Sequence, residues 1–495
     1  MNSRAKWTGG LLGFALTLNC ALAQTATAPS PTPAPVAAPQ PAVPTPTPTA
    51  ASVPLPAPVA PVTPTPVATP SPAVSPTATP IPVDIPVAAP PKPKKKAPPP
   101  PPPLETALST DPNPTFQPNT FFATAKAAER YGAIVQAGGW PTDVVALHPG
   151  SKGAAVAELR KRLSVEGDLD ATQPLTPLWD KTLTEAVKQF QSRMGLRQTG
   201  TVAGATLKAI NVPAETRHNQ LVVSSQRIAN SSFAFGDRYV VVNLPSTSVE
   251  AVENGAVVHR YAAIVGDVDH PSPLVAAHVA AINLNPTWTV PVSIIKKEII
   301  PRMQRDPGYL VRQKIRILDG SGAEVDPKSI DWSTNRAVNY TLRQDSGSGN
   351  SLGVIRINMP NKLAVYMHDT PGKRLFGVDY RFLSHGCVRV QGVFDYAEWL
   401  LQGTPNPEGG VWDKVAMQAK VKEGARLDIK VEKPLGVIWL YLTGWANDDG
   451  VAHFRDDPYG LDNLSVAGAP KPETVTAAST QASPLSAPRE AAQPR

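Results

Sequence analysis

One cysteine and two histidines in the C-terminal half of the chain have the types and spacing of a nucleophilic site. Cys387 follows Gly386 directly and lies two residues after His385, and His368 lies upstream at the end of a predicted strand. A thiolate is a good nucleophile that a neighbouring imidazole can generate. A glycine beside it lets backbone N–H groups approach a developing oxyanion. The pattern indicates acyl transfer through a thioester, with histidine as base and then acid.

Other interpretations of the same residues are open. A buried free cysteine can be a small hydrophobe, and a histidine alone need not be a base. Zinc binding is a third interpretation, but the chain has only eight histidines, no paired cysteines and no H-E-x-x-H spacing. Cys387 and His368 together favour catalysis, and no metal site is predicted.

The elements that position these residues follow from periodicity. Apolar residues predict a helix around Ala123–Gln136 and two amphipathic helices, one through Val156, Leu159 and Leu163 and one through Leu183, Val187, Phe190 and Met194. Gly150-Ser151 and Asp180 mark helix starts. Strands are predicted at Tyr239–Leu244, Ala256–Val265, Val275–Asn283, Val354–Asn358, Leu363–Met367, Leu427–Val431 and Val437–Leu442. Later helices are few, at Ile294–Ile300 and Phe394–Leu401.

The longer pattern resembles the signature of the L,D-transpeptidase catalytic domain family. His368 is followed, after fifteen residues, by Ser384-His385-Gly386-Cys387 and then by Arg389. Other segments resemble the large periplasmic branch of that family, which has an insertion in the catalytic domain. They are Asn285–Pro291, Lys297-Glu298, Asp306–Leu310, His368–Pro371 and Phe454–Gly460. The order of His before Cys differs from that of papain-like cell-wall amidases.

The resemblance implies roles for the matching residues. Cys387 would be the nucleophile and His368 the general base and acid, with backbone N–H groups near Gly386 and Cys387 forming the oxyanion hole. Arg389 would order the loop or meet a substrate carboxylate. The residues implied to shape the site are Ser384, His385, Gly386 and Arg389. Candidate substrate contacts are Tyr366, Asp369 and Trp288. No metal or organic cofactor is implied.

The implied reaction begins with attack of Cys387 on the third residue, a meso-diamino acid, of a peptidoglycan tetrapeptide stem. D-Ala leaves, and an amine of a second stem accepts the acyl group to give a 3→3 crosslink. Family members also attach lipoproteins to the wall, exchange D-amino acids or cleave crosslinks, and sensitivity to carbapenems is expected. The alternatives are an L,D-carboxypeptidase or endopeptidase, with water as acceptor, and a wall-binding structural protein without activity.

The helical region resembles a peptidoglycan-binding domain of the small three-helix type. The similar segments are His148–Gly150, Ala186–Gln191, Thr199–Val202 and Leu207. A scaffold bundle that no longer binds glycan is the alternative. The partners implied are therefore peptidoglycan stem peptides and glycan.

The first residues predict export. A basic start, a short apolar run from Trp7 to Leu18 and Ala21-Leu22-Ala23 have the order of a secretory signal. A membrane anchor is the alternative, but the run is shorter than the ~20 residues that span a bilayer, and Asn19 argues against lipidation of Cys20. We expect a periplasmic or envelope protein with no stable membrane insertion after cleavage. The net charge of +7 suits a polyanionic envelope, and no basic helix interleaved with aromatics suggests nucleic acid.

Composition divides the rest of the chain. Of the 57 prolines, 30 lie in residues 24–103, a segment too poor in apolar surface to fold. The predicted organisation is a signal at 1–23, a Pro-rich disordered linker at 24–114, a helical region at 115–214 with the binding domain at 146–212, a catalytic domain at 220–463 with an insertion at 297–351, and a disordered tail at 464–495. The expected fold is multidomain: a β-rich, mixed α+β catalytic domain, a small all-α domain and a disordered arm.

Overall fold

The computed structural model of the chain describes residues 103–463 and the backbone of 473–474. The predicted signal peptide, most of the Pro-rich arm and most of the C-terminal tail lie outside these residues. No helix within the described ranges is long and apolar enough to cross a membrane.

Five helices form the first part of the described chain: α1 Thr120–Gln136, α2 Ala154–Glu166, α3 Lys181–Arg193, α4 Gly204–Ile210 and α5 Ala214–Ala229. The predicted apolar faces of α2 and α3 are buried in one core. Asp180 caps α3 as predicted, because its side chain accepts the Leu183 N–H at 2.8 Å. The predicted start of α2 at Gly150-Ser151 is wrong by about one turn, since Gly153 is the residue that precedes the helix.

The remaining helices and strands build a β-rich region. The strands are β1 Arg238–Asn243, β2 Ser248–Glu253, β3 Ala256–Gly266, β4 Val275–Leu284, β5 Trp288–Thr289, β6 Ile315–Leu318, β7 Glu324–Val325, β8 Thr341–Gln344, β9 Ile355–Asn358, β10 Met367–His368, β11 Phe382–Ser384, β12 Val388–Val390, β13 Leu427–Leu440, β14 Gly444–Ala446, β15 Ala452–Phe454 and β16 Glu473–Thr474. The helices are α6 Val292–Ile294, α7 Ile300–Arg305, α8 Tyr309–Arg312, α9 Val393–Leu400 and α10 Lys414–Glu423. A π-helical turn, Ile295–Ile299, joins α6 to α7.

Ten strands form one sheet that closes on itself. Nine of them follow the hydrogen-bonded order β11-β3-β12-β10-β9-β4-β13-β1-β2, β2 also pairs with β3, and the tenth strand, β16, pairs with β4. The side chains of β1 show the period of two expected of a strand buried on both faces: Val240 and Val242 lie in the interior core, while Tyr239 and Val241 lie in a second cluster. Helix α9 packs its apolar face into the same interior core, which also buries Met367 of β10 and Val388 of β12. The closed sheet therefore holds these two short strands in fixed positions.

The predicted insertion is a small folded unit. Its strands form a separate sheet in the order β5-β8-β6-β7, and its apolar residues, among them Ile299, Leu310, Ile317 and Leu342, form a core of their own. The unit leaves the main sheet after β4 and returns before β9. It begins with β5 at Trp288, before the predicted boundary at 297.

The helical region and the β-rich region share a core. The hairpin β14–β15 contributes Ala446, Ala452 and Phe454 to the cluster formed by the helices. Gly444 lies so close to α5 that an added Cβ would be 3.1 Å from the backbone of Gln220. The two regions are therefore packed together rather than joined only by chain connectivity.

The predicted Pro-rich linker ends before its predicted boundary at 114. Residues 104–115, here called the strap, contact both regions. Glu105 accepts the Ala205 N–H of α4 at 3.0 Å, and Asp379 accepts the N–H groups of Glu105 and Thr106 at 3.0 and 2.8 Å. Arg260 donates to the carbonyl of Ser109 at 2.6 Å. The strap is ordered because these backbone groups are satisfied by partners far away in the sequence.

Several predicted elements differ from the structure. The strand predicted at Leu363–Met367 is only Met367–His368, because Asn361 forms a side-chain-stabilised turn before it. The two strands predicted within residues 427–442 are one strand, β13, with an irregular register between Lys430 and Leu435. The predicted disordered tail contains β16, which pairs in parallel with β4. The pattern also missed the helices α4, α5, α8 and α10 and the strands β2, β5 to β8, β11, β12, β14 and β15.

Candidate active site

The sheet brings together the two chain segments that carry the candidate nucleophile and the candidate base. Strands β10 and β12 run parallel, with Met367 opposite Val388 and His368 opposite Arg389. Met367 and Val388 are fully buried in the interior core. Because successive strand residues face opposite sides, His368 and Arg389 face away from that core. Cys387 lies just before β12 and faces the same side.

His368 is held in one orientation. It is 5% exposed, and its Nδ1 lies 2.5 Å from the carbonyl oxygen of Asp369. A carbonyl can only accept, so Nδ1 carries the proton and Nε2 keeps a free lone pair. Burial, followed by the charge of Arg389, lowers the pKa of His368 to about 3. The resting imidazole is therefore neutral and able to accept a proton at Nε2.

The thiol of Cys387 is also neutral at rest. Burial raises the pKa of Cys387, and a hydrogen bond from the Tyr366 backbone together with the charges of Arg389 and Arg356 partly opposes that rise. Across the described residues, no hydrogen bond joins the thiol to His368. The resting state is thus a neutral thiol and a neutral imidazole, and not a thiolate–imidazolium pair.

The loop before Cys387 is closed by Ser384. Its hydroxyl donates to the Cys387 carbonyl at 2.5 Å and accepts the Gly386 N–H at 3.2 Å. Gly386 has a φ of +104°, in the left-handed region that favours glycine, and its carbonyl accepts the Ser272 hydroxyl at 2.8 Å. The Gly386 N–H, one of the two predicted oxyanion donors, is therefore already bonded to Ser384. The N–H of Cys387 is the other predicted donor.

His385 points to the insertion. Its Nε2 lies 2.6 Å from Glu298 Oε1 in the π-helical turn, and its ring is 4.8 Å from that of His270. Lys297 Nζ lies 3.2 Å from His270 Nε2. The side chain of His385 thus contacts the insertion and not Cys387, and it connects the loop before Cys387 to Glu298. In the described part of the chain, no group of three or more His, Cys, Asp or Glu side chains could hold a metal ion.

The three predicted substrate contacts fall in two places. Tyr366 and Trp288 line a pocket of about 450 Å³. Asp369 differs from the expectation: it is 2% exposed, accepts the Val354 N–H at 3.1 Å and pairs with Lys373. Asp369 therefore holds the start of β9 against the site.

Sequence reasoning missed Arg356. It lies on β9 opposite His368, and its guanidinium lies 5.3 Å from the centre of the Tyr366 ring. The signal was present in the alternation Ile355-Arg356-Ile357, where both isoleucines are buried in the interior core and the arginine must face the other side. Its nearness to Cys387 depends on the strand order, which a sequence does not display.

Fold and site define a closed β-sheet domain that carries a cysteine and a histidine on one face, preceded by a helical domain. Residues 237–408 match the family model described as L,D-transpeptidase catalytic domain. Residues 152–210 match the model described as "Putative peptidoglycan binding domain". The chain therefore carries an L,D-transpeptidase catalytic domain preceded by a peptidoglycan-binding domain, as the motifs predicted.

Individual proteins are similar over part of the chain. A Haemophilus influenzae protein named "Putative L,D-transpeptidase" is 31% identical over 224 residues, which are 45% of this chain and 44% of that protein. This chain thus spans less than half of that relative's length. An L,D-transpeptidase structure from Xylanimonas cellulosilytica matches at 14% identity and a TM-score of 0.19, covering 59% of this chain and 96% of the other. One from Stackebrandtia nassauensis matches at 15% identity and a TM-score of 0.21, covering 61% and 96%.

Proposed function

We propose that this protein is a peptidoglycan L,D-transpeptidase that uses Cys387 as nucleophile and His368 as general base and acid. The observation that supports the proposal is the parallel pairing of β10, which carries His368, with β12, which directly follows Cys387. The hydrogen bond of His368 Nδ1 to the Asp369 carbonyl keeps Nε2 unprotonated, and Ser384 fixes the backbone loop of Cys387.

The first half-reaction forms a thioester. The Cys387 sulfur bonds to the carbonyl carbon of the third stem residue as the thiol proton passes to His368 Nε2. The oxyanion is met by the Cys387 backbone N–H and by the positive charges of Arg389 and Arg356. The intermediate then collapses, and D-Ala leaves with the proton returned from His368.

The second half-reaction transfers the acyl group. The amine of a second stem attacks the thioester carbonyl and gives a proton to His368, and the C–S bond breaks. The departing sulfur regains the proton, so the net change is one amide exchanged for another with release of D-Ala. The neutral resting pair suits this cycle, because neither half-reaction needs a permanently charged thiolate.

The peptidoglycan-binding domain would hold the protein on its polymeric substrate. Its core is continuous with the hairpin β14–β15 of the catalytic region, so a bound glycan strand would have a fixed orientation relative to the site. We propose an exported envelope protein on the basis of this substrate. Cell fractionation with sequencing of the mature N-terminus tests export: intact N-terminal residues in a cytoplasmic fraction would contradict it.

The test of the reaction is intact-protein mass spectrometry after incubation with a disaccharide tetrapeptide and, separately, with a carbapenem. We expect a covalent adduct with each reagent that is absent from Cys387→Ala. Addition of an amine acceptor stem should release a crosslinked dimer together with D-Ala. A folded protein with a reduced thiol that forms neither adduct would refute the nucleophile, and shortened monomers without dimers would indicate water as the acceptor.

A further inference from the structure

Arg356 lies in one row of the sheet with the candidate base. It is the Cα partner of His368 on one side, and Arg389 is the partner of His368 on the other. Neighbouring strands are ~4.8 Å apart, so the Cα atoms of the two arginines flank that of His368 at one strand spacing each. Arg356 therefore reaches the same reaction space as Cys387, whose thiol responds to its charge.

The partners of Arg356 are neutral. Its Nε donates to Asn283 Oδ1 at 2.9 Å, and its Nη2 donates to Asn358 Oδ1 at 3.4 Å. Asn283 Nδ2 donates in turn to the Asp428 carboxylate at 2.8 Å, and the charge of Arg356 is among the smaller causes of the lowered pKa of Asp428. Within the described residues, Arg356 forms no ion pair. A half-buried cation without an anion is costly, which makes the position suited to an anionic ligand.

The pocket that Arg356 lines also lacks negatively charged side chains. Its volume is about 450 Å³, and its lining includes Trp288, Tyr366, Arg356 and Arg426 but no Asp or Glu. Arg426 is already paired with Asp428 at 2.8 Å. Arg356 is thus the guanidinium on this pocket whose charge is left for a ligand, and Tyr366 connects the pocket to Cys387.

We propose that Arg356 binds the free C-terminal carboxylate of the donor peptide and so determines which stems are used. The inference rests on the proposed function, in which the residue that leaves carries this carboxylate one residue beyond the attacked carbonyl. The planar guanidinium matches a carboxylate with two parallel hydrogen bonds. A stem that is amidated or lengthened at this end presents no carboxylate at this position.

The test compares release of the terminal residue from a disaccharide tetrapeptide and from its C-terminal carboxamide, using the full chain. The wild type is expected to prefer the free carboxylate by about 10- to 100-fold in kcat/KM, the range for one hydrogen-bonded charge pair. R356Q should lose that preference by slowing the tetrapeptide far more than the carboxamide. The matched variant R312Q removes an exposed guanidinium that is paired with Asp306 and lies outside this pocket, and it should leave the ratio unchanged.

The ratio of kcat/KM for the tetrapeptide to kcat/KM for the carboxamide separates a loss of carboxylate recognition from a general loss of activity. If R356Q slows both substrates by the same factor, Arg356 acts on the nucleophile alone and the proposal is wrong. It is also wrong if the wild type does not discriminate, or if amidating the diamino acid's own carboxylate, rather than the terminal one, abolishes the effect of R356Q. R356K retains the charge without the planar guanidinium, so it should keep part of the preference for the free carboxylate. If R356Q does not fold, the ratio of kcat/KM values measured for R356K tests the proposal instead.

Failure of the proposed function gives a different result. A wild type that forms no acyl-enzyme with the tetrapeptide refutes the reaction itself. An acyl-enzyme that forms without discrimination refutes only the role of Arg356.

Discussion

His368 and Arg389 are partners on two adjacent parallel strands, which sets a guanidinium next to the imidazole that takes the proton. Burial is the larger cause of the low pKa of His368, and Arg389 is the second. Together they keep the imidazole neutral across the physiological range. The negative charge that develops on the substrate must therefore raise the basicity of His368 during the reaction, while Arg389 stabilises that charge.

The first prediction concerns the pH dependence of acylation. Because the pKa of His368 is about 3, the rate of carbapenem acylation should show no inflection near the ordinary histidine value of 6.5. Measurement of kcat/KM between about pH 4.5 and about pH 8 checks this. An acid limb centred between about pH 6 and about pH 7 that disappears in His368→Gln would contradict the prediction.

The second prediction concerns stability. Burial, followed by the charge of Arg455, also lowers the pKa of His453 to about 3. Each unfolded histidine binds a proton below about 6.5, whereas the native one does so only near 3. The free energy of unfolding should therefore be unaffected by these histidines above about pH 6.5. It should fall as the pH falls from about 6.5 towards 3, by up to about 1.4 kcal/mol per pH unit for each histidine.

Replacement of His453 separates its contribution to the pH dependence of stability from that of His368. The free energy of unfolding of His453→Gln should fall less steeply with decreasing pH than that of the wild type, whatever its absolute value. Urea titrations at several pH values measure the slope. Equal slopes for both proteins would show that His453 is not neutral and buried in the native state.

The third prediction concerns the reactivity of the thiol. Since burial raises the pKa of Cys387, the folded protein should react with iodoacetamide more slowly at pH 7 than the same chain in denaturant. Mass spectrometry of timed samples measures both rates. Faster alkylation of the folded protein would indicate a resting thiolate and would exclude the neutral pair.

The fourth prediction concerns the loop that carries the nucleophile. Gly386→Ala must place a side chain at a φ of +104°, at a cost of about 1–3 kcal/mol or a displaced loop. We expect slower acylation and a lower Tm. Gly377→Ala is the matched control, because Gly377 lacks a positive φ and an added Cβ there meets no neighbouring atom within 4 Å. Equal effects of the two substitutions would contradict the strain argument.

The fifth prediction concerns the strap. Asp379 accepts hydrogen bonds from three donors, the N–H of Glu105 and the N–H and hydroxyl of Thr106. Asp379→Ala should therefore release this end of the strap and lower the Tm. A chain that begins at residue 116 should unfold at a lower temperature than one that begins at residue 104, because it also loses the contacts to Arg260 and Glu250. Calorimetry compares the three proteins. Identical Tm values would show that the strap contributes no stability.

Much of the local structure could be predicted. Helices α2 and α3 followed from apolar spacing and from the cap at Asp180, and strands β1, β3 and β4 from runs of β-branched and small apolar residues. These signals are local, since the period of a helix or strand appears within one segment. Strand β10 was less predictable: it has two residues, and its pairing with β9 and β12 defines it more than its composition does.

The chemical types at the site and the Cys–His motif could be predicted from the chain alone, because a motif depends on residue identity and spacing. The row of Arg356, His368 and Arg389, the contacts of Asp369 with Val354 and Lys373, and the contact of His385 with Glu298 could not. These relations join strands and turns separated by many residues, and their register depends on the closure of the whole sheet.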